Sequence, residues 1–206
     1  MKLHTQSKHK TSVIVAIFIS FIFFFTYMTA NHWPLERYTI PLTGIDLFIP
    51  FLEWTFIIYL SVFIQAVFVI LQMPRDKLIS YMSGPIWALI VGVFVFFLLP
   101  IEYPRDLYPN QNMLVTWFRI IDQAGNCFPS LHVAMTIIFS HIYSLINSKS
   151  NNKNIIRSSL MWIWSIFIIV SVLTTKQHYV LDIFGGMILA SFVIFIKNWH
   201  KSIACA

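Results

Sequence analysis

The chain has 206 residues, of which 58% are hydrophobic, 17% aromatic and 11% charged. A soluble domain carries about 25% charged residues, so this composition, with a mean hydropathy of +0.74, excludes an ordinary soluble protein and points to an integral membrane protein. The net charge of +6 does not imply a nucleic-acid partner, because the basic residues form no stripe with interleaved aromatics.

Apolar runs of about 20 residues cross a bilayer as helices. Six are predicted, at about 11–30, 52–72, 84–101, 130–147, 159–175 and 179–197. The runs are continuous, as in FISFIFFFTYM and WALIVGVFVFFLL, whereas barrel strands would alternate. The expected fold is therefore an all-α membrane protein, a six-transmembrane-helix bundle in a single domain over 1–206. The first run follows a basic start, MKLHTQSKHK. It is long for a signal peptide and no small-x-small site follows before NHWP, so an uncleaved helix is expected.

The linkers differ in character. Segment 73–84 (MPRDKLISYMSG) reads as a polar turn ending at Gly84-Pro85, and NSKSNNKN (147–154) as a plain connection. Segments 31–51 and 100–129 are rich in Pro, Trp and Tyr, residues suited to the membrane interface. They read equally as loops with aromatic anchors or as a lid over a site. With a cytoplasmic N-terminus, the inner segments hold ten of the fourteen Lys and Arg, and the outer ones only Arg37, Arg105, Arg119 and Lys176. That bias obeys the positive-inside rule. Both termini are expected to be cytoplasmic, in a bacterial inner membrane, with a periplasmic site.

Cys127 and Cys205 make no disulfide framework, and there is no CxxC or paired Cys/His metal spacing. No metal and no cofactor are expected. Ionisable groups are scarce inside the apolar runs, against a channel or ion-coupled transporter. His141, near the inner end of the fourth run, reads as a structural histidine. Instead His132, Lys176, His178 and Asp182 gather at helix ends.

The fourth run leads inward from Pro129, and the fifth returns to the same face near Thr174. His132 and His178 are thereby expected together. In TTKQHYVLD, His178 and Asp182 are four apart, one turn on a helix face. A carboxylate there fixes the tautomer of the imidazole and leaves the other nitrogen basic, as a histidine nucleophile or base requires. In FPSLH, Pro129 suits a first helical position. The N–H groups of Ser130, Leu131 and His132 then lack intrahelical acceptors and favour an anion such as phosphate. The Ser130 hydroxyl can donate as well, and His132 can protonate a leaving oxygen.

Together FPSLH (128–132) and HYVLD (178–182), at opposite ends of a helical hairpin, resemble the type 2 phosphatidic acid phosphatase superfamily of lipid phosphate phosphatases. The pattern departs from the phosphatase consensus. Leu131 replaces a glycine, Val172 stands where an arginine is usual, and the Lys-x6-Arg-Pro motif is absent, with Leu98 and Asp106 at two of its positions. NCFPSLH and KQHYVLD look more like the inositol phosphorylceramide synthase and sphingomyelin synthase branch. The resemblance implies a phosphohistidine on His178, orientation by Asp182 and proton transfer by His132. Ser130 would hold the phosphate oxygens together with a cation: Lys176 first, then Arg105 and Arg119.

Three readings stay open: a lipid phosphatase with water as acceptor, a phosphotransferase moving a headgroup between lipids, and a non-catalytic lipid-binding protein. The expected partners are a lipid phosphate substrate and membrane lipids. A homo-oligomer through the last helix is suggested by the small face of Gly185, Gly186 and Ala190.

Overall fold

The computed structural model describes residues 17–18, 20–109, 111–147 and 152–204, with backbone alone for 152–153 and 198–204. Helix α1 runs over residues 20–31. It is followed by α2 (Gly44–Phe48), α3 (Phe56–Gln72), α4 (Leu78–Leu98), α5 (Met113–Ile121), α6 (Leu131–Ile146), α7 (Asn152–Thr174) and α8 (Val180–Ala204). No strand occurs among the described residues. The all-α expectation holds.

Among the described residues, four segments are long and apolar enough to cross a membrane: Glu53–Gln72, Arg75–Leu98, Asn154–Thr174 and Val180–Lys197. The chain is therefore a membrane protein. The first expected span, 11–30, lies partly outside the described residues. Helix α6 is shorter, at 16 residues, or about 24 Å. It occupies the centre, packed against α3, α4, α7 and α8. Its apolar side joins Ile138, Phe139 and Ile142 to Leu89, Phe96 and Leu189, while the outer helices turn residues such as Phe94, Phe167 and Ile188 outward.

Several boundaries differ from expectation. Helix α4 begins at Leu78 and carries Pro85 inside it, so the polar turn ends well before Gly84-Pro85. A proline costs an interior helix about 3 kcal/mol or more, yet membrane helices tolerate it where neighbours satisfy the freed groups. Here Gly84 and Pro85 are buried, and Gly84 faces the α6 side chain of Ile138 and the α8 side chain of Val193. Helix α7 starts earlier, at Asn152, and α8 runs to Ala204.

Two helices were not anticipated. Helix α2 is short but has a complete capping box: Thr43 Oγ1 accepts from the Asp46 N–H, and Asp46 accepts from the Thr43 N–H. Helix α5 is capped by Asn112, which accepts from the Leu114 N–H at 2.9 Å.

The small residues of α8 meet this same chain. A Cβ on Gly186 would lie 2.5 Å from the Ser130 carbonyl oxygen, and one on Gly185 would lie 2.5 Å from the Phe128 ring. Glycine here lets α8 seat against the start of α6. Ala190 is buried in the adjoining core.

Candidate active site

The site lies at the end of the bundle where α6 and α8 begin and α7 ends. Three local structures build it.

The first is the start of α6. Ser130 is the N-cap, its hydroxyl accepting from the Val133 N–H at 3.5 Å. Helix therefore begins at Leu131, two residues after Pro129, rather than at Pro129 as expected. Ser130 is fully buried, and its own N–H donates to the Asp182 carbonyl at 3.1 Å, so it is not one of the free N–H groups. The N–H groups of Leu131 and His132, in the first turn, have no intrahelical acceptor.

The second is the turn from α7 to α8. The Gln177 N–H donates to Val172 O at 3.4 Å and the Lys176 N–H to Leu173 O at 3.1 Å. This is the Schellman pattern of a helix end, which places one residue in the left-handed region, usually glycine. Here that residue is Lys176, with φ 54°. A non-glycine residue in this conformation is uncommon. Its ammonium donates to the Asp46 carbonyl and sits 4.8 Å over the Tyr108 ring. Burial pulls the Lys176 pKa down, opposed by the Asp46 carboxylate.

The third is the start of α8. Helix begins at Val180, so His178 and Asp182 do not share a helix face as expected. Asp182 instead reaches back from the first turn, accepting from the Tyr179 N–H at 2.8 Å and meeting His178 Nδ1 at 3.2 Å. This is half of a capping box turned to a second purpose. His178 Nδ1 also faces the Cys127 carbonyl at 3.0 Å. A carboxylate and a carbonyl both call for a proton on Nδ1, which leaves Nε2 with its lone pair.

His132 stands opposite, its ring centroid 6.2 Å from that of His178. It stacks on Tyr59 at 4.2 Å and 24°, with the Tyr59 hydroxyl 3.3 Å from Nδ1. Because the rings are nearly parallel, the hydroxyl meets the nitrogen from the ring face, so the contact fixes the plane of the imidazole more than its tautomer. His132 Nε2 is buried and has no hydrogen-bond partner. The two histidines are 8% and 6% exposed, so the site is nearly closed.

The cations fall into two groups. Arg105 donates to the Asp122 carbonyl, its Nε is buried without a partner, and its charge is felt by both Asp122 and Cys127. Arg119 donates to Tyr108 O at 2.9 Å with its guanidinium 5.6 Å over the Phe51 ring. Burial and the neighbouring Arg105 lower its pKa. Lys176 is held on Asp46, and Asp46 is the carboxylate whose field it feels.

Four contributors were missed in the sequence. Tyr59 stacks on His132. Asp122 is a buried acid beside the site, accepting from the Tyr27 hydroxyl at 2.9 Å; burial raises its pKa against the pull of Arg105. Asp46 binds the Val180 N–H at 2.8 Å and so ties α2 to the start of α8. Despite burial its pKa is lowered, through hydrogen bonds from Thr43 and Val180. The TGID of its capping box is a signal that could have been read. Cys127 supplies more than a carbonyl: it, His178 and Asp182 offer donor atoms within 4.8 Å of one another. The absence of a metal-ligand spacing in the sequence did not foretell this, because 51 residues separate Cys127 from His178.

The aromatic segments pack over these groups. Tyr38 and Ile101 form a parallel bridge. The Tyr179 hydroxyl contacts Ile40 O at 3.1 Å and Glu102 O at 3.0 Å, and burial pushes its pKa up to about 12. Ile101, Tyr103, Cys127 and Tyr179 form one apolar cluster. Of the two readings of these segments, a cover over the site fits their packing.

A family model described as the PAP2 superfamily matches residues 48–196, a stretch that includes every residue of the two histidine-bearing turns. None of the curated proteins matches the chain at a significant level.

Proposed function

We propose, from the premise that this chain belongs to the PAP2 superfamily, that it hydrolyses the phosphate ester or diphosphate of a lipid through a phosphohistidine on His178. Membership in that family suggests activity of the phosphatase or phosphotransferase type. The observation that carries the finer reading is the buried pair of imidazoles. One is oriented by Asp182 through Nδ1, and the other has an unpartnered Nε2.

The steps follow from that pair. His178 Nε2 attacks phosphorus, and the bond from phosphorus to the lipid oxygen breaks. Protonated His132 gives its proton to that leaving oxygen. The His178 ring, now positive, is stabilised by the Asp182 carboxylate, and the Nδ1 proton stays between them. Neutral His132 then takes a proton from water as the water oxygen attacks phosphorus. The bond from nitrogen to phosphorus breaks, phosphate leaves, and His132 is again protonated. The non-bridging oxygens need preorganised donors. The N–H groups of Leu131 and His132 at the start of α6 suit this role, and the Ser130 hydroxyl, whose oxygen accepts as the helix cap, keeps its own O–H to donate.

Among the cations Arg105 is the better candidate, because its Nε is buried and unpartnered and its field reaches Cys127. Lys176 acts by holding the turn, and Arg119 is held on Tyr108 and Phe51. The site faces the periplasmic side on this reading, as the distribution of basic residues suggests.

A second reading is transfer to a lipid hydroxyl. It is favoured by the near-closure of the site, which limits water, and by the NCFPSLH and KQHYVLD resemblance. The chemistry to the phosphohistidine is shared. The test is phosphate release in mixed micelles from phosphatidic acid, lysophosphatidic acid and an isoprenyl diphosphate, without added metal, beside His178→Ala. Release that depends on His178 supports hydrolysis. A new headgroup lipid formed only when a lipid alcohol is supplied supports transfer. Neither product from any donor, with the protein folded, overturns both in favour of a non-catalytic lipid-binding protein.

A further inference from the structure

We propose that Cys127, His178 and Asp182 form an inhibitory site for a soft divalent cation of the zinc type, which occupies the groups that orient the nucleophile. This inference rests on the reading of His178 as that nucleophile.

The three donors come from separate places: the loop before α6, the turn after α7 and the first turn of α8. Their ligand atoms lie within 4.8 Å of one another and all three residues are buried. Cys127 is a free thiol, with weak contacts to the carbonyls of Ala124 and Gln177. Asp182 uses Oδ2 for Tyr179 and His178, while Oδ1 is fully buried with no hydrogen-bond partner. A thiol, an imidazole and a carboxylate with one oxygen still unpartnered make a donor set that suits zinc. Zinc takes sulfur at about 2.3 Å, imidazole nitrogen at about 2.0–2.1 Å and carboxylate oxygen at about 2.0–2.2 Å. A tetrahedral ion with three protein ligands keeps one position open for water.

The balance is simple. Zinc displaces the thiol proton, which goes to solvent, and the Nδ1 ring proton of His178 moves to Nε2, so that a neutral imidazole binds through Nδ1. Bonds form from the metal to sulfur, Nδ1 and a carboxylate oxygen, with no redox change. With the metal on Nδ1, Nε2 carries the ring proton and has no lone pair with which to attack phosphorus. Asp182 is also drawn from its orienting role.

The test uses the full-length protein in detergent, with Cys205→Ala as the background so that Cys127 is the sole thiol. Cadmium, a stand-in for zinc, is titrated while its ultraviolet thiolate charge-transfer band is followed, and zinc inhibition of lipid phosphate turnover is measured beside it. The expected result is one cadmium per chain with a thiolate band. That band should vanish in Cys127→Ala, and binding should weaken at least tenfold in Asp182→Asn. Zinc should inhibit the background protein at concentrations at least tenfold lower than it inhibits Cys127→Ala, each measured against its own metal-free rate. No thiolate band at saturating cadmium, or equal zinc inhibition with and without Cys127, would overturn the proposal. The cadmium band does not require turnover. A protein that binds cadmium as expected but keeps full activity as His178→Ala would refute the nucleophile and leave the metal site standing.

Discussion

Two buried polar regions lie on one face of α6, about a turn apart, and they are built on opposite principles. In the middle of the bundle, Thr136 donates to Gln65 Oε1 at 2.6 Å, Gln65 donates to Ser165 at 2.9 Å, and Ser140 and Ser165 share a bond at 2.5 Å. None of these side chains has a buried atom left unpartnered among the described residues. One turn earlier the opposite holds: His132 Nε2, Asp182 Oδ1 and Arg105 Nε are all buried and all lack partners. A satisfied buried network rigidifies a fold, whereas an orphaned buried group costs free energy unless something binds it. The first region therefore fastens α3, α6 and α7 together in an apolar medium. The second is shaped for a ligand that brings acceptors, protons or charge.

The comparison breaks most sharply at His178, the proposed nucleophile. His178→Ala should lower turnover on the order of 10³-fold or more, with helical content and melting temperature close to wild type. A drop of only a few fold would mean that the unsatisfied region is not a reaction centre. His132→Gln comes next, with a loss of roughly 10²–10⁴-fold as expected for a general acid and base. It is measured best as phosphate release at saturating substrate.

Arg105→Gln should cost on the order of 10²-fold in kcat/KM, the scale of a lost oxyanion donor. Gln65→Leu tests the other side. It removes a hub of the satisfied network and should destabilise the protein by about 1–3 kcal/mol, read from thermal unfolding in detergent. Activity per folded molecule should stay within about twofold, since no reacting group is touched. A catalytic loss comparable to that of Arg105→Gln would erase the distinction between the two regions.

The smallest effect is expected at Lys176. Lys176→Gly relieves the left-handed backbone by up to about 1 kcal/mol but loses the bond to Asp46, worth about the same. Stability should hardly move. Lys176→Met keeps the strain and loses the charge, so it should melt lower than Lys176→Gly. If either variant loses as much kcat/KM as Arg105→Gln, the phosphate cation is Lys176, as its sequence position first suggested.

What the sequence reveals and hides follows from the range of the interactions. The apolar runs are local and long, so the helical fold and most element positions were legible. The two histidine motifs were legible because residue type and hairpin topology together bring His132 and His178 to one end. Their local geometry was not. HYVLD reads as a helix face, yet helix begins at Val180, and Asp182 reaches His178 from the helix start.

Lys176 looked like a free cation because its acceptor, Asp46, lies 130 residues away. Tyr59, Asp122 and the Cys127 carbonyl act across separations of the same kind, which no spacing rule captures. Helix α2 is the exception: its Thr43–Asp46 capping box was visible, and the apolar flanks drew attention away from it.

The most direct test of the central claim is to trap the enzyme during turnover. Wild-type protein would be mixed with lipid phosphate labelled on phosphorus and quenched in alkali, which preserves phosphohistidine, and the labelled peptide would be identified by mass spectrometry. Phosphorus is expected on His178, and on no residue of His178→Ala. Label on another residue, or wild-type turnover in His178→Ala, would contradict it.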